Sequence, residues 1–480
     1  MRIAFTSTWQ KTDLFALLAK RLAPLGVEAC WIVTSDYYRQ RLVDQGFPPE
    51  TILHLRKDFA LSSSGFSEDA KTMRSLESRS KESVKNLIRM DRYVGTWPWE
   101  QSERYAAYVT ARTAEFLDRM DARLVIGEPS VIHDLLAVMI CQATDRSYFA
   151  PFPLRMPVQR FAFWSGYSEN EFKTFGARLP VEVRPEFLRM AREVADQIVV
   201  NRIKPAYFYK NSRAPKITPK LLYKMGRGVS RAVVQSRTDA NMYSLHDMLV
   251  KHKLHMKPFH YAAAKVKWSS LFEQPVPGEK FVLFTLHKQP EYSIDVLGAR
   301  HSNQLETIHG IARSLPADVR LYVKEHRNCL GDRSPKELRK IKALPSVRLI
   351  DPFVDAAELV ERCEAVVTVS GTIALESALN GKRTLLLSDH YLAGFSMSKS
   401  IEGPWQVGEE LASPMPKHDL DYDLQYLGWL LENSFEGILS DPVSNPECVS
   451  EENLELLTNA LYALTEKLKP ARLEAREATS

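Results

Sequence analysis

The chain predicts an α/β fold: two Rossmann-like domains whose parallel sheets face a central cleft. Apolar, β-rich runs alternate with amphipathic helical runs in both halves of the 480 residues. A chain of this length exceeds one ordinary core, so two domains are expected. The residues with chemical character follow directly after strands, where open α/β sheets bind ligands.

The chain opens with strand 2–7, helix 14–25, strand 27–34, helix 37–45 and strand 52–56, a βαβ pattern. After the first strand stands "STWQKTD" instead of G-x-G-x-x-G, which disfavours NAD or FAD. Residues 61–100 are polar, charged and partly helical, and read as an insertion. The alternation resumes with helix 101–120, strand 123–127, helix 131–143 and a short strand near Tyr148. Residues 151–175 are punctuated by proline and carry Arg155 and Arg160 among aromatics, which reads as an irregular binding loop.

Helix 185–199 follows, and then the linker "EQPVPGEK" at 273–280 sets the boundary between a first domain, 1–272, and a second, 273–480. The second domain runs strand 281–286, helix 301–314, strand 319–324, helix 334–343, strand 347–350, helix 355–362, strand 365–369, helix 372–380 and strand 383–387. Five strands alternating with helices imply a parallel sheet covered on both faces. A last helix, 451–468, is a candidate to pack back on the first domain.

Hydrophobic content of 45% and charged content of 26% are those of a soluble globular protein. The five cysteines (Cys30, Cys141, Cys329, Cys363, Cys448) form no CxxC pair, which argues for a reducing compartment and against a disulfide framework or zinc ribbon. No run of eighteen apolar residues occurs and the opening residues do not resemble a signal peptide. The expected location is the cytoplasm, in solution or on the inner face of the cytoplasmic membrane.

Residues 202–267 hold fifteen Lys/Arg against two Asp/Glu, interleaved with aromatics, although the net charge of the whole chain is only +5. Such a segment suits an anionic membrane surface, and a solvated basic face fits it equally. No RRM, KH or helix-turn-helix pattern accompanies it, so nucleic acid is not an expected partner.

Three segments carry the chemistry: "FVLFTLHKQPEYS" at 281–293, "VRLYVKEHRN" at 319–328 and "AVVTVSGTIALESALNGK" at 365–382. Ser370, Gly371 and Thr372 stand between a strand and a helix, where they cap the helix or make room for a phosphate. Glu376 lies one helical turn after Thr372, placed to accept from ribose hydroxyls or simply exposed. His326, with Lys324 and Arg327 beside it, suits the charge of a departing phosphate. The loop after the first strand of the second domain places His287, Gln289, Glu291 and Ser293 where a donor or acceptor would sit. Glu128 holds the matching position in the first domain, directly after "RLVIG", and a capping role fits it as well. A pair of carboxylates, one per domain, is what glycosyl chemistry needs: one at the anomeric carbon, one for the acceptor proton.

The run from Phe281 to Gly381 resembles the capsule polysaccharide biosynthesis family of bacterial glycosyltransferases, which includes the retaining Kdo transferases of capsule and O-antigen assembly. Weaker echoes stand at "IGEPS" and "PLRMPVQRFAF". The resemblance implies a GT-B architecture and a CMP-activated 2-keto-3-deoxy sugar acid as donor. It maps the family's phosphate-contacting His-Pro element onto His326, with Arg327 replacing the proline. It maps the Ser/Thr-rich turn onto Ser370 and Thr372, the ribose-binding glutamate onto Glu376, and the Gln-Pro-Glu-x-Ser element onto Gln289 to Ser293. Glu291 and, on a shorter match, Glu128 are then the catalytic candidates.

The expected activity is transfer of a Kdo-like or nonulosonic acid residue from its CMP donor to a surface glycan or lipid-linked acceptor. No metal or cofactor is expected, since no DxD pair ends a strand and His326, Lys324 and Arg327 can carry the leaving group's charge. The alternatives are a UDP-sugar transferase or nucleotide-sugar 2-epimerase, and a non-catalytic component of capsule assembly.

Overall fold

The computed structural model describes residues 1–468 except 7, 63, 158, 170–181, 204–225, 227–228, 231–232 and 252–255. The chain is an α/β protein with two mainly parallel sheets, one in each of two compact units. The units are discontinuous: the first comprises 1–178, 229–244 and 433–480, the second 179–228 and 245–432. The boundary expected at 273 therefore falls inside the second unit. The linker signal marks only the start of a strand there, since Glu273 pairs with Asp351 and Ile350 of the same unit.

In the first unit, strands β1 (Arg2–Thr6), β2 (Glu28–Val33), β3 (Ile52–His54), β4 (Leu124–Ile126) and β5 (Ser147–Pro153) are parallel. Their order is β3-β2-β1-β4-β5, and β6 (Arg160–Ser165) adds to β5 antiparallel. Ile3, Ala4 and Phe5 of β1 are fully buried, the near-continuous apolar run expected of a strand covered on both faces. Phe5 stacks on Phe15 and Trp31. The Lys11–Leu22 helix buries Leu14, Phe15, Leu18, Ala19 and Leu22, one face at helical spacing. Leu454, Leu457, Leu461 and Leu464 of the Glu451–Leu468 helix join the same core.

Of the segment read as irregular, 151–175, residues 151–153 end β5 and 160–165 form β6, while 158 and 170–175 lie outside the described residues. Phe161 and Phe163 were hidden by the prolines, of which Pro151 and Pro153 lie in β5 beyond the stretch, Ser147–Phe149, that pairs with β4. A short strand, β13 (Phe435–Glu436), then pairs with β6.

In the second unit, β7 (Phe281–Thr285), β8 (Arg320–Lys324), β9 (Val347–Ile350), β10 (Ala365–Thr368), β11 (Arg383–Leu386) and β12 (Ser398–Ser400) form one parallel sheet in the order β12-β11-β10-β7-β8-β9. The sheet thus has six strands; β12 is three residues of Ser and Lys, too short and polar to read as a strand. Phe281 and Leu283 face one apolar layer and Val282 and Phe284 the other. Among the described residues no helix is long and apolar enough to cross a membrane.

Both strand orders reverse direction once, between β1 and β4 in the first unit and between β7 and β10 in the second. Crevices for ligands open at such reversals, outside the carboxyl ends of the strands.

Candidate functional site

The loops after β7 and β10 flank the reversal in the second unit, and hydrogen bonds join them. Ser370 Oγ donates to the Ser293 carbonyl at 2.8 Å. His287 Nε2 accepts the Val369 amide at 3.3 Å and lies 3.3 Å from Thr368 Oγ1. With Nε2 an acceptor, the imidazole proton sits on Nδ1. The Thr368 hydroxyl in turn accepts the Gly371 amide at 3.2 Å. A Cβ on Gly371 would stand 2.8 Å from that hydroxyl, so the turn is as close as glycine allows.

Within the loop after β7, Asp295 accepts from the Glu291 amide and from Gln289 Nε2, both at 2.8 Å. Ser293 Oγ donates to the Glu291 carboxylate at 3.0 Å. The Gln-Pro-Glu-x-Ser element is therefore one folded unit, with Glu291 exposed on its rim. Gln304 anchors it from below, accepting the His287 amide at 2.8 Å and donating to the His287 carbonyl at 3.1 Å and to Gln289 at 3.2 Å.

The loop after β8 is tied in by a buried ion pair. Arg333 donates to Glu325 at 2.6 Å and to the His287 carbonyl at 2.8 Å. Burial pushes the Glu325 carboxyl up even against Arg333, while Glu325 raises Arg333 against its own burial. His326 accepts the Asn328 amide on Nδ1 at 3.2 Å, leaving its proton on Nε2. Burial, helped by Lys324, Lys288 and Arg333, lowers the imidazole to about 4. His326 is thus neutral at physiological pH and offers a donor rather than a charge, a change from its sequence reading as part of a cationic group. Lys324 Nζ donates to the Pro352 carbonyl at 2.8 Å and Arg327 to the Phe353 carbonyl at 3.1 Å, both toward the loop after β9. These bonds turn the two cations to the β9 side of β8, whereas β7 and the reversal lie on the other.

Thr372 makes no side-chain cap on the Ile373–Leu379 helix, so the capping explanation for Ser370 and Thr372 does not describe this turn. Glu376 lines an open pocket with Ile198, Arg202, Val360, Glu361 and Asn380. Arg202 pairs with Glu361 across it.

In the first unit the loops after β1 and β4 flank the other reversal. Glu128 is half-buried and ion-paired with Lys11 at the start of the Lys11–Leu22 helix. Beside it, Asp134 is fully buried and neither of its carboxyl oxygens makes a hydrogen bond of normal geometry. Burial pushes it up to about 8 against the opposing influence of Thr6 and Lys11. A Cβ on Gly127 would collide with Thr6 Oγ1 and stand 2.9 Å from Tyr148 Oη and 3.0 Å from Asp134 Oδ1. Asp91 accepts the Ile132 amide at 2.6 Å and so caps the Ile132–Ala143 helix. Arg160, expected in a binding loop, is instead buried and bonded to Ser434 and Glu436, where it fastens β13 to β6. Arg155 pairs with the buried Glu169 at 3.4 Å.

The structure thus gathers His287, Gln289, Glu291, Ser293, Ser370 and Gly371 at one place, with His326 joined through Glu325 and Arg333. It sets Glu376 in the pocket with Arg202, places Glu128, Arg155 and Arg160 in the other unit, and gives the latter two partners of their own. Sequence reasoning missed Lys11, Asp134, Asp295, Gln304, Glu325 and Arg333. Lys11 lay in the "STWQKTD" loop, read only for its lack of glycines, and Glu325 was inside the quoted "VKEHRN".

No family model matches the chain, and no curated protein matches it. Solved structures similar to it include the Thermosulfurimonas dismutans KpsC beta Kdo 2,4 transferase, at 12% identity and a TM-score of 0.36 over 64% of this chain and 79% of that one. The KpsC beta Kdo 2,7 transferase of the same organism has 12% identity and a TM-score of 0.32 over 68% of this chain and 83% of that one. The Methanocaldococcus jannaschii UDP-GlcNAc 2-epimerase, in complex with UDP-GlcNAc and UDP, has 11% identity and a TM-score of 0.26 over 90% of this chain and 100% of that one. Likeness at that level leaves activity to be argued from the residues themselves.

Proposed function

We propose that the protein is a glycosyltransferase moving a Kdo-like or nonulosonic acid residue from a CMP-activated donor to a bacterial surface glycan or lipid-linked acceptor. The observation that carries the reading is the joining of the Gln289 to Ser293 element to the Ser370-Gly371-Thr372 turn at the β7/β10 reversal, through Ser370 to Ser293 and His287 to Val369. A reversal of this kind is where such sheets receive nucleotides. A carboxylate fixed there can serve as nucleophile or electrostatic stabiliser at an anomeric centre.

In this reading the His326 N–H meets the donor phosphate and Glu376 the ribose. The bond between the anomeric carbon and the phosphate oxygen breaks and CMP departs. The acceptor oxygen bonds to that carbon, and its proton passes to Glu128. Glu291 stabilises the positive charge that develops at the carbon. The basic segment 202–267, described only in part, is assigned to an anionic membrane surface near a lipid-linked acceptor.

Calorimetric titration with CMP, CDP, UDP and UMP tests the reading, repeated on His326→Ala and Glu376→Gln. The expected outcome is CMP-selective binding, weakened about tenfold by each substitution, the worth of one hydrogen bond to a charged or polar ligand group. Preference for UDP would move the assignment to a UDP-sugar transferase or a nucleotide-sugar 2-epimerase. Absence of binding by all four would favour a non-catalytic assembly component.

A further inference from the structure

The first unit's reversal carries a residue that the reading above does not use. Lys11 begins the helix that follows β1, and its ammonium is paired with the Glu128 carboxylate that follows β4. The two side chains come from the two loops that flank the reversal, and each keeps only a fifth of its surface exposed. Most lysine and arginine pairs of this unit differ in kind: Arg123 with Asp145 or Lys71 with Glu68 join exposed side chains, where such a bond contributes little.

We propose that Lys11 is the positioning residue of Glu128, so that the carboxylate at the β1/β4 reversal works as one half of a lysine–glutamate pair. The inference rests on the assignment of Glu128 to the acceptor's proton and adds the group that holds it in place.

The surroundings supply the reason a lysine is needed there. Behind the pair stand Thr6, Asp134 and the Gly127 backbone, packed so tightly that no side chain fits on Gly127. Asp134 is fully buried without a hydrogen bond of normal geometry, and Asp91, also buried, repels its charged form. A carboxylate charge beside these buried groups is costly unless a cation is fixed with it. Lys11 is that cation; burial lowers it to about 8, opposed by Asp441, Cys448 and Asp134, which face it and raise it. A proton delivered to Glu128 removes the charge that the ammonium faces.

Two measurements on the full chain test this. In the first, the protein is pulse-acetylated with acetic anhydride across a pH series and Lys11 is followed by mass spectrometry, with the exposed Lys20 as internal standard. Lys11 should show a midpoint near 8, moving down by about one pH unit or more in Glu128→Gln, because an opposite charge at contact shifts a pKa by that much. An unmoved midpoint would overturn the pairing. This arm needs no turnover, so it decides on Lys11 even where no donor is transferred; a shift without transfer by the wild type would leave the pair standing and remove the role given to Glu128.

In the second, transfer from the donor nucleotide sugar is followed in Lys11→Met and Lys11→Arg. The methionine variant should lose at least about tenfold in kcat with little change in donor KM, and the arginine variant should recover most of the loss. Full activity in Lys11→Met would overturn the proposal. Where the methionine variant fails to fold, the arginine variant and the Glu128→Gln labelling still decide for or against the pair.

Discussion

The two sheet reversals share a topology and differ in what stands behind them. In the second unit, polar side chains bridge loop to loop: Arg333 to Glu325 and to the His287 carbonyl, Gln304 to His287 and Gln289, Ser370 to Ser293. The candidate carboxylate, Glu291, stands exposed on the rim of that scaffold. In the first unit the polar groups lie deeper: Asp91, Asp134 and His133 are buried behind the loops, and the candidate carboxylate is half-buried against Lys11. One reversal is built to hold a set of loops in fixed register, the other to hold charge in a site of low polarity. The first arrangement suits recognition of a nucleotide, which needs many donors in place; the second suits proton transfer, which needs one group of controlled ionisation.

The largest expected difference lies in the ion pairs. Arg333→Met would leave Glu325, 2% exposed, with an uncompensated charge and should destabilise the protein by about 3–5 kcal/mol. Glu325→Gln combined with Arg333→Met should recover much of that loss, because the neutral pair leaves no buried charge. The Lys11–Glu128 pair, with a fifth of each side chain exposed, should cost about 1–3 kcal/mol when broken, between an exposed pair and a fully buried one. Denaturant unfolding of the three variants measures all of this. Equal losses from Arg333→Met and Lys11→Met would remove the distinction between a structural pair and a functional one.

The two glycines sharpen the contrast on a smaller scale. Gly127→Ala drives a methyl group into Thr6 Oγ1 with Tyr148 and Asp134 close behind, and all three are buried. Overpacking of this sort costs about 1–3 kcal/mol. Gly371→Ala meets the Thr368 hydroxyl at 2.8 Å and the His287 ring at 3.5 Å, so a small shift of the turn relieves it. The expected result is a clear loss of thermal stability for the first and a smaller one for the second. The opposite order would mean that the turn after β10 is the more rigid of the two.

Much of this was legible in the sequence, and the reasons for the rest are physical. Strands such as Phe281–Thr285 and Ala365–Thr368 announce themselves because parallel strands are buried on both faces and read as near-continuous apolar runs. The Gln289 to Ser293 element and the Ser370-Gly371-Thr372 turn were visible because polar residues follow those runs at once. Strand order was not visible, and so neither was the fact that these two loops meet. β6 was hidden by Pro151, Pro153 and Pro157, which read as loop punctuation, although the first two lie within β5 past its pairing with β4 and the third stands just before β6. The discontinuous units were hidden because a boundary signal such as "EQPVPGEK" reports local turn chemistry, while unit membership depends on contacts between distant segments. Lys11, Asp134 and Arg333 escaped notice for a similar reason: their roles come from partners 117 residues away in one case, from burial in the second, and from eight residues' separation across a loop in the third.

The smallest effect expected is also the one most specific to the buried charges of the first unit. Asp134 has an ordinary value of 3.8 and is pushed up to about 8 in the folded protein by burial. Between those values the folded chain binds a proton at this site and the unfolded chain does not. Stability contributed by that proton is therefore fully present at low pH and is lost as pH rises toward 8, with a slope of at most about 1.4 kcal/mol per pH unit for one proton. Asp91, raised to about 6, acts in the same direction but has released most of its proton above pH 7. Lys11 acts in the opposite direction only above its own value of about 8, where the unfolded chain still holds a proton that the folded chain has lost. Between pH 6.5 and 7.5 Asp134 thus dominates the difference between wild type and Asp134→Asn. Calorimetric scans across that interval should show the wild type losing about 1 kcal/mol more than the asparagine variant, whose side chain does not ionise. Parallel curves would mean that Asp134 is already ionised in the folded state, and the low-polarity character assigned to the first unit's reversal would have to be given up.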